Sequence, residues 1–129
     1  MILKNSSAFI NGEFKNLDVK IENGIISEIA ENLSGGDEED LSGKMLIPGL
    51  VDIHTHGCAG FDFSTANASQ IEKMLDEYGK NGITSVLATT MTLPRESLKK
   101  AMSEIKAGMD LKSHCKAKIL GINMEGPFL

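Results

Sequence analysis

Leu17, Val19 and Ile21 alternate with Asp18, Lys20 and Glu22, a period of two that predicts a strand with one apolar and one wet face. Short apolar segments flank two Asn-Gly pairs, Asn11-Gly12 and Asn23-Gly24, the pairing best suited to tight hairpin turns. The first third of the chain therefore predicts a small β-meander, whose alternation breaks after Ile29. The run Ser34-Gly35-Gly36-Asp37-Glu38-Glu39-Asp40 then joins flexible glycines to four adjacent carboxylates that repel one another, which predicts an exposed loop. A metal site is the sharper reading of those acids; hydrated side chains are the plainer and preferred one.

From Met45 onward short continuous apolar runs alternate with amphipathic stretches, the pattern of parallel strands covered on both faces. A second domain is expected to begin here, giving residues 1–44 and 45–129. Its first strand is Met45 to Ile53; Pro48 removes a ladder donor, so the regular part starts after Pro48-Gly49. A helix follows near Ser69, whose hydroxyl caps the first turn while Glu72 reaches back to its amide, with Ile71, Met74, Leu75 and Tyr78 as the buried stripe. Gly79 and Gly82 supply stop signals, and Ile83 to Thr90 has the β-branched content of an interior strand. Pro94 suits the first turn of the next helix; Leu98, Ala101, Met102 and Ile105 share one of its faces, and Gly108 ends it. Lys118 to Met124 reads as a third strand, entering Glu125-Gly126-Pro127-Phe128-Leu129, so the sequence stops inside a repeating βα pattern.

At 129 residues and 41% hydrophobic the chain can bury a modest core. A net charge of -5, with Lys and Arg spread singly, offers no basic face for nucleic acid or an anionic membrane. No leader pattern stands near Met1 and no apolar run approaches the roughly 18 residues of a bilayer span. A cytoplasmic location follows, and with it free thiols at Cys58 and Cys115 in place of a disulfide. His114, beside Cys115 in a Lys-rich connection, reads as solvated loop, and the seven methionines as core filling.

His54 and His56 are separated by Thr55 at the C-terminal end of a predicted strand, so both imidazoles fall on one side of the sheet and can share a divalent ion. Such pairs also occur as half-buried polar residues bonded to carbonyls, but ligands of α/β sheets and barrels gather at this strand end. Gly57 permits a sharp turn beside the pair, and Asp52, two residues before His54, is placed to support it from outside the ligand set. Glu125 ends a strand two positions along the same rim; the plainer alternative is a surface carboxylate before a Gly-Pro turn. Cys58 follows the pair, but no neighbour is placed to activate it as a nucleophile.

PGLVDIHTHG, then GFDF, TSVLATTMT and GINMEGPFL, resemble successive segments of N-acetylglucosamine-6-phosphate deacetylases across essentially the whole chain. The His-x-His strand is common to the wider amidohydrolase superfamily; GFDF and Met-Glu-Gly-Pro-Phe are more particular to the deacetylases. The resemblance implies the first three strands of a (β/α)8 (TIM) barrel, preceded by N-terminal strands of a small β-sandwich that both termini build. It implies hydrolysis of the acetamide of N-acetylglucosamine 6-phosphate to glucosamine 6-phosphate and acetate, and a homodimer. A divalent metal, bound through Glu125 with His54 and His56 available for a second, is also implied, and these donors suit zinc, iron, manganese and cobalt alike. Two more histidine ligands, the catalytic aspartate and the phosphate-binding residues are expected from later strands. A full barrel takes about 250 residues, so the 129-residue chain alone is expected to be inactive. Two alternatives stand beside this reading: a cyclic amidase of the dihydroorotase type, which shares the His-x-His strand but not Glu-Gly-Pro-Phe, and a non-catalytic metal-binding or assembly module.

Overall fold

Both Asn-Gly pairs adopt the left-handed backbone that hairpin turns require, with φ of 53° and 89° at Asn11-Gly12 and 52° and 76° at Asn23-Gly24. They join three antiparallel strands, β1 (Ile2–Ile10), β2 (Glu13–Glu22) and β3 (Ile25–Ala30). The computed structural model describes residues 1–111 and 117–126; His114, Cys115, Pro127 and Phe128 lie outside the described residues. Among the described residues no helix is long and apolar enough to cross a membrane.

The alternation of β2 is only half realised. Val19 is buried and Leu17 and Ile21 are half-buried, but Asp18, expected to be wet, is buried too. The reason lies in β1, where a register shift between Leu3 and Ser6 accompanies a left-handed Asn5. That shift aims the Asn5 amide at Asp18 Oδ1 (2.8 Å), while the Leu33 amide and Lys4 Nζ reach Oδ2 at 2.9 and 2.8 Å. A carboxylate this well supplied with donors tolerates burial.

The acidic run is exposed as expected, but it is not all loop. Glu38–Asp40 form β4, which pairs in parallel with Ile2, Leu3 and Lys4, and Asp40 accepts from the Asn5 side chain at 2.9 Å. Backbone pairing to an open strand edge outweighs the repulsion of side chains that remain in water. Met45–Leu46 (β5) also pair with β1, at Ser7 and Ala8. The single strand expected over Met45 to Ile53 is therefore two strands in different sheets, divided at Pro48-Gly49. Chain contacts divide the protein at the same point, into Met1–Pro48 and Gly49–Leu129.

In the second unit three parallel strands, β6 (Leu50–Thr55), β7 (Ile83–Thr90) and β8 (Lys118–Met124), lie in sequence order. They are joined by α1 (Ala68–Lys80) and α2 (Arg95–Met109). The chain is thus a mixed α/β protein, a mainly antiparallel sheet followed by a parallel β-α-β sheet. Ile71, Met74, Leu75 and Tyr78 of α1 pack with Phe63, Val86, Ala88, Ile105 and Ile119 into the core.

Local details of the helices differ from the sequence reading. Asn67, not Ser69, caps α1: its side chain accepts from the Gln70 amide, and the Gln70 side chain accepts from the Asn67 amide, each at 3.0 Å. Gly79 lies inside α1; Asn81 ends it and Gly82 takes φ 78°. Pro94 precedes α2 with ψ 146° and is not part of its first turn, and Met102 is half-buried where Leu98, Ala101 and Ile105 are buried. Gly108 does not end α2. It is buried one residue before the end, where a Cβ would meet Ile71 Cγ2 at 2.6 Å, so its lack of a side chain lets the helices approach.

Candidate metal centre

The parallel sheet places the C-terminal ends of β6 and β8 on one rim. At the β6 end, three residue steps from Asp52 to Thr55 stand against two on β7, from Val86 to Ala88. This bulge re-aims the side chains around it. The Thr55 hydroxyl turns back to share a 2.6 Å hydrogen bond with Tyr78 of α1, and His54 and His56 present both imidazoles to Glu125. Burial and nearby negative groups push the Tyr78 phenol up to about 12, so it stays protonated at neutral pH, and either hydroxyl can donate in this bond.

Glu125 Oε1 lies 2.7 Å from His54 Nε2 and 3.6 Å from His56 Nε2, and the two rings are 5.4 Å apart at 71°. Glu125 is fixed at the end of β8 through its own backbone: its amide donates to Thr90 O at 3.2 Å, and Thr92 Oγ1 donates to its carbonyl at 2.7 Å. One donor atom from each of His54, His56 and Glu125 falls within 4.8 Å of the others. Their side chains are 54%, 35% and 32% exposed, so all three remain accessible to a small ion.

These residues suit a divalent cation. Imidazole nitrogen and carboxylate oxygen are the donors of zinc and of related first-row ions. His56 Nδ1 is buried without a hydrogen-bond partner, an arrangement that protein interiors avoid.

Gly57 follows directly at φ 144°, and a Cβ there would lie 2.2 Å from Phe61 O. The loop folds back on itself, with the Phe63 amide donating to His56 O at 2.7 Å and Phe63 wholly buried. Asp62 accepts from the Ser64 amide at 2.7 Å, so the Gly-Phe-Asp-Phe segment anchors the chain leaving the histidines.

Asp52 stands outside the ligand cluster: its carboxylate accepts from the backbone amide of His54 at 3.1 Å, and its charge acts on Tyr78. The Cys58 thiol is free, points at Met74 O (3.5 Å) and is pushed up by burial, the opposite of an activated nucleophile. Thr55, Thr89 and Asn123 were not singled out from the sequence. Their contacts link separate strands, and no local spacing signals them.

A sequence profile of the amidohydrolase family matches residues 45–123. The N-acetylglucosamine-6-phosphate deacetylase of Lysinibacillus sphaericus is 37% identical over 92% of this chain and 31% of its own length. A dihydroorotase of Lactobacillus acidophilus is 44% identical, but over only 43% of this chain and 13% of its own. Among solved structures, the N-acetylglucosamine-6-phosphate deacetylase of Pasteurella multocida superposes with a TM-score of 0.87 at 25% identity, covering 99% of this chain and 34% of that one. The chain thus spans about a third of the length of the deacetylases it matches.

Proposed function

The chain belongs to the amidohydrolase family, and we propose that the protein it represents hydrolyses the acetamide of N-acetylglucosamine 6-phosphate to glucosamine 6-phosphate and acetate. The observation that carries this reading is the meeting of His54, His56 and Glu125 on one rim of the parallel sheet. It occurs in a chain that follows a deacetylase over 92% of its length. Glu125, His54 and His56 would hold one divalent ion or two. Bound there, such an ion supplies a Lewis acid for the amide carbonyl and a water that ionises near neutral pH.

The residues of this chain bind and orient. Glu125 acts as a ligand, with the rim bulge and the Gly57 turn aiming its partners, and the proton-carrying aspartate is assigned to residues outside this sequence. The same reading makes the two sheets the start of a small β-sandwich and of a (β/α)8 barrel, with the boundary at Pro48-Gly49 and not at residue 45 as the sequence suggests. It gives a cytoplasmic homodimer without nucleic-acid or membrane partners, and the scattered cations and net charge of -5 support the last point.

A cyclic amidase of the dihydroorotase type is the second reading, favoured by the short match at 44% identity. The test is product release by the full-length protein, metal-loaded and chelated, from N-acetylglucosamine 6-phosphate and from dihydroorotate. Metal-dependent acetate release supports the deacetylase. Ring opening alone overturns it in favour of the cyclic amidase, and inertness toward both favours the non-catalytic module. Acetate release by the 129-residue chain alone would overturn the assignment of the proton carrier to residues outside it.

A further inference from the structure

A line of hydrogen bonds runs through residues adjoining His54, His56 and Glu125 in the chain and touches every strand of the parallel sheet. Tyr78 of α1 shares its 2.6 Å bond with Thr55 Oγ1; the Thr55 amide donates to Thr89 Oγ1 of β7 at 3.1 Å. Asn123 Nδ2 of β8 reaches the same oxygen at 3.4 Å. Thr55 stands between the two histidines, and Asn123 stands two residues before Glu125. One hydroxyl oxygen, on the strand that contributes nothing to the cluster, is therefore bonded to both strands that do.

The Thr55 contact falls at the bulge, where the ladder between β6 and β7 is interrupted. Beside that interruption the half-buried Thr55 amide takes a side-chain acceptor, the Thr89 hydroxyl. Thr89 is wholly buried. Valine would match its shape and its strand preference, but would leave the Thr55 and Asn123 donors without that oxygen.

We infer that Tyr78, Thr55, Thr89 and Asn123 form a positioning line that holds the bulged end of β6 and the end of β8 at the separation in which His54, His56 and Glu125 take a divalent cation together. The inference rests on the metal-binding reading above and goes beyond it, since none of the four residues belongs to the ligand cluster. Thr55 fixes the chain direction through the histidines, and Asn123 fixes the approach of Glu125. Breaking the line leaves every ligand group present but lets the three spread, which changes affinity and geometry and leaves the ligand count alone.

The experiment is a cobalt(II) titration of the metal-free full-length protein, followed by visible absorption, with the melting temperature of each metal-free variant recorded alongside. No cobalt uptake by the wild type, or unchanged binding in Glu125→Gln, overturns the metal reading and this inference with it. With both controls passed, Thr89→Val is expected to weaken cobalt binding about 10–100-fold, the range for groups that orient ligands. It should also shift the absorption band, and Thr89→Ser should restore both. Wild-type affinity and spectrum in folded Thr89→Val would sink the positioning role alone, even with a lower melting temperature. If Thr89→Val does not fold, Tyr78→Phe and Thr55→Val each remove one hydroxyl of the line, and the same two readings decide.

Discussion

Glu125 Oε1 lies 2.7 Å from His54 Nε2, joining the ends of the two outer strands of the parallel sheet. Without a cation this is a single hydrogen bond; in the proposed metal centre both atoms would serve as ligands. Glu125→Gln keeps the shape and removes the charge. It is expected to weaken divalent-metal binding by more than the roughly 10–100-fold typical of groups that only orient ligands. Metal content after dialysis of the full-length protein checks this, and a fully loaded variant would remove Glu125 from the ligand set.

Asp18 links acidity to stability. The Lys4 ammonium, with the Asn5 and Leu33 amides, holds its carboxyl below the ordinary carboxylate range. Between that lowered value and the unfolded one, about 3.9, the unfolded chain binds the extra proton, so stability rises with pH. The contribution is complete above about pH 5 and is lost as pH falls through the native value. Asp18→Ala leaves the partly buried Asn5 and Leu33 amides and the Lys4 ammonium without their acceptor, and at neutral pH should destabilise by about 1–3 kcal/mol, the order expected for hydrogen bonds to a charged group, while flattening the acid limb. Urea unfolding at several pH values measures both; an unchanged acid limb would count against the burial of this ion pair.

Gly108→Ala places a Cβ 2.6 Å from Ile71 Cγ2 in a wholly buried contact. Alanine gains about 1 kcal/mol of helix propensity, but overpacking a filled core costs about 1–3 kcal/mol, so net destabilisation is expected. Ile71→Leu, which moves the branch away from Cβ, should lessen the loss in the double variant. Additive losses in a denaturation cycle would mean the two residues do not meet.

Cys58 should react slowly despite standing two residues from a candidate ligand, because burial raises its pKa and thins the thiolate. Alkylation by iodoacetamide at pH 7.5, followed at the peptide that carries Cys58, is expected to be slower than for free cysteine. A faster reaction would reopen its role as a nucleophile.

Residues close together in the chain were legible because their physics is local. The Asn-Gly pairs fixed two hairpins through their tolerance of positive φ, and the β-branched run Ile83–Thr90 and the run Lys118–Met124 became β7 and β8 with the bounds the pattern suggested. The spacing of Ile71, Met74, Leu75 and Tyr78 fixed the buried face of α1. The pairing of His54 with His56 and the rim position of Glu125 were also readable, since each depends on where a strand ends.

Only the tertiary structure decided what depends on a partner far along the chain. Asp18 is buried because Lys4, Asn5 and Leu33 converge on it, and Glu38–Asp40 become a strand because β1 offers an open edge. Gly108 is needed because Ile71 crosses it, and the Thr55 amide reaches the Thr89 hydroxyl where β7 sets a bulge in β6. Alternation along a strand assumes a regular neighbour. Where the neighbour's register shifts, the side chains follow the hydrogen bonds of the sheet and not the count of residues.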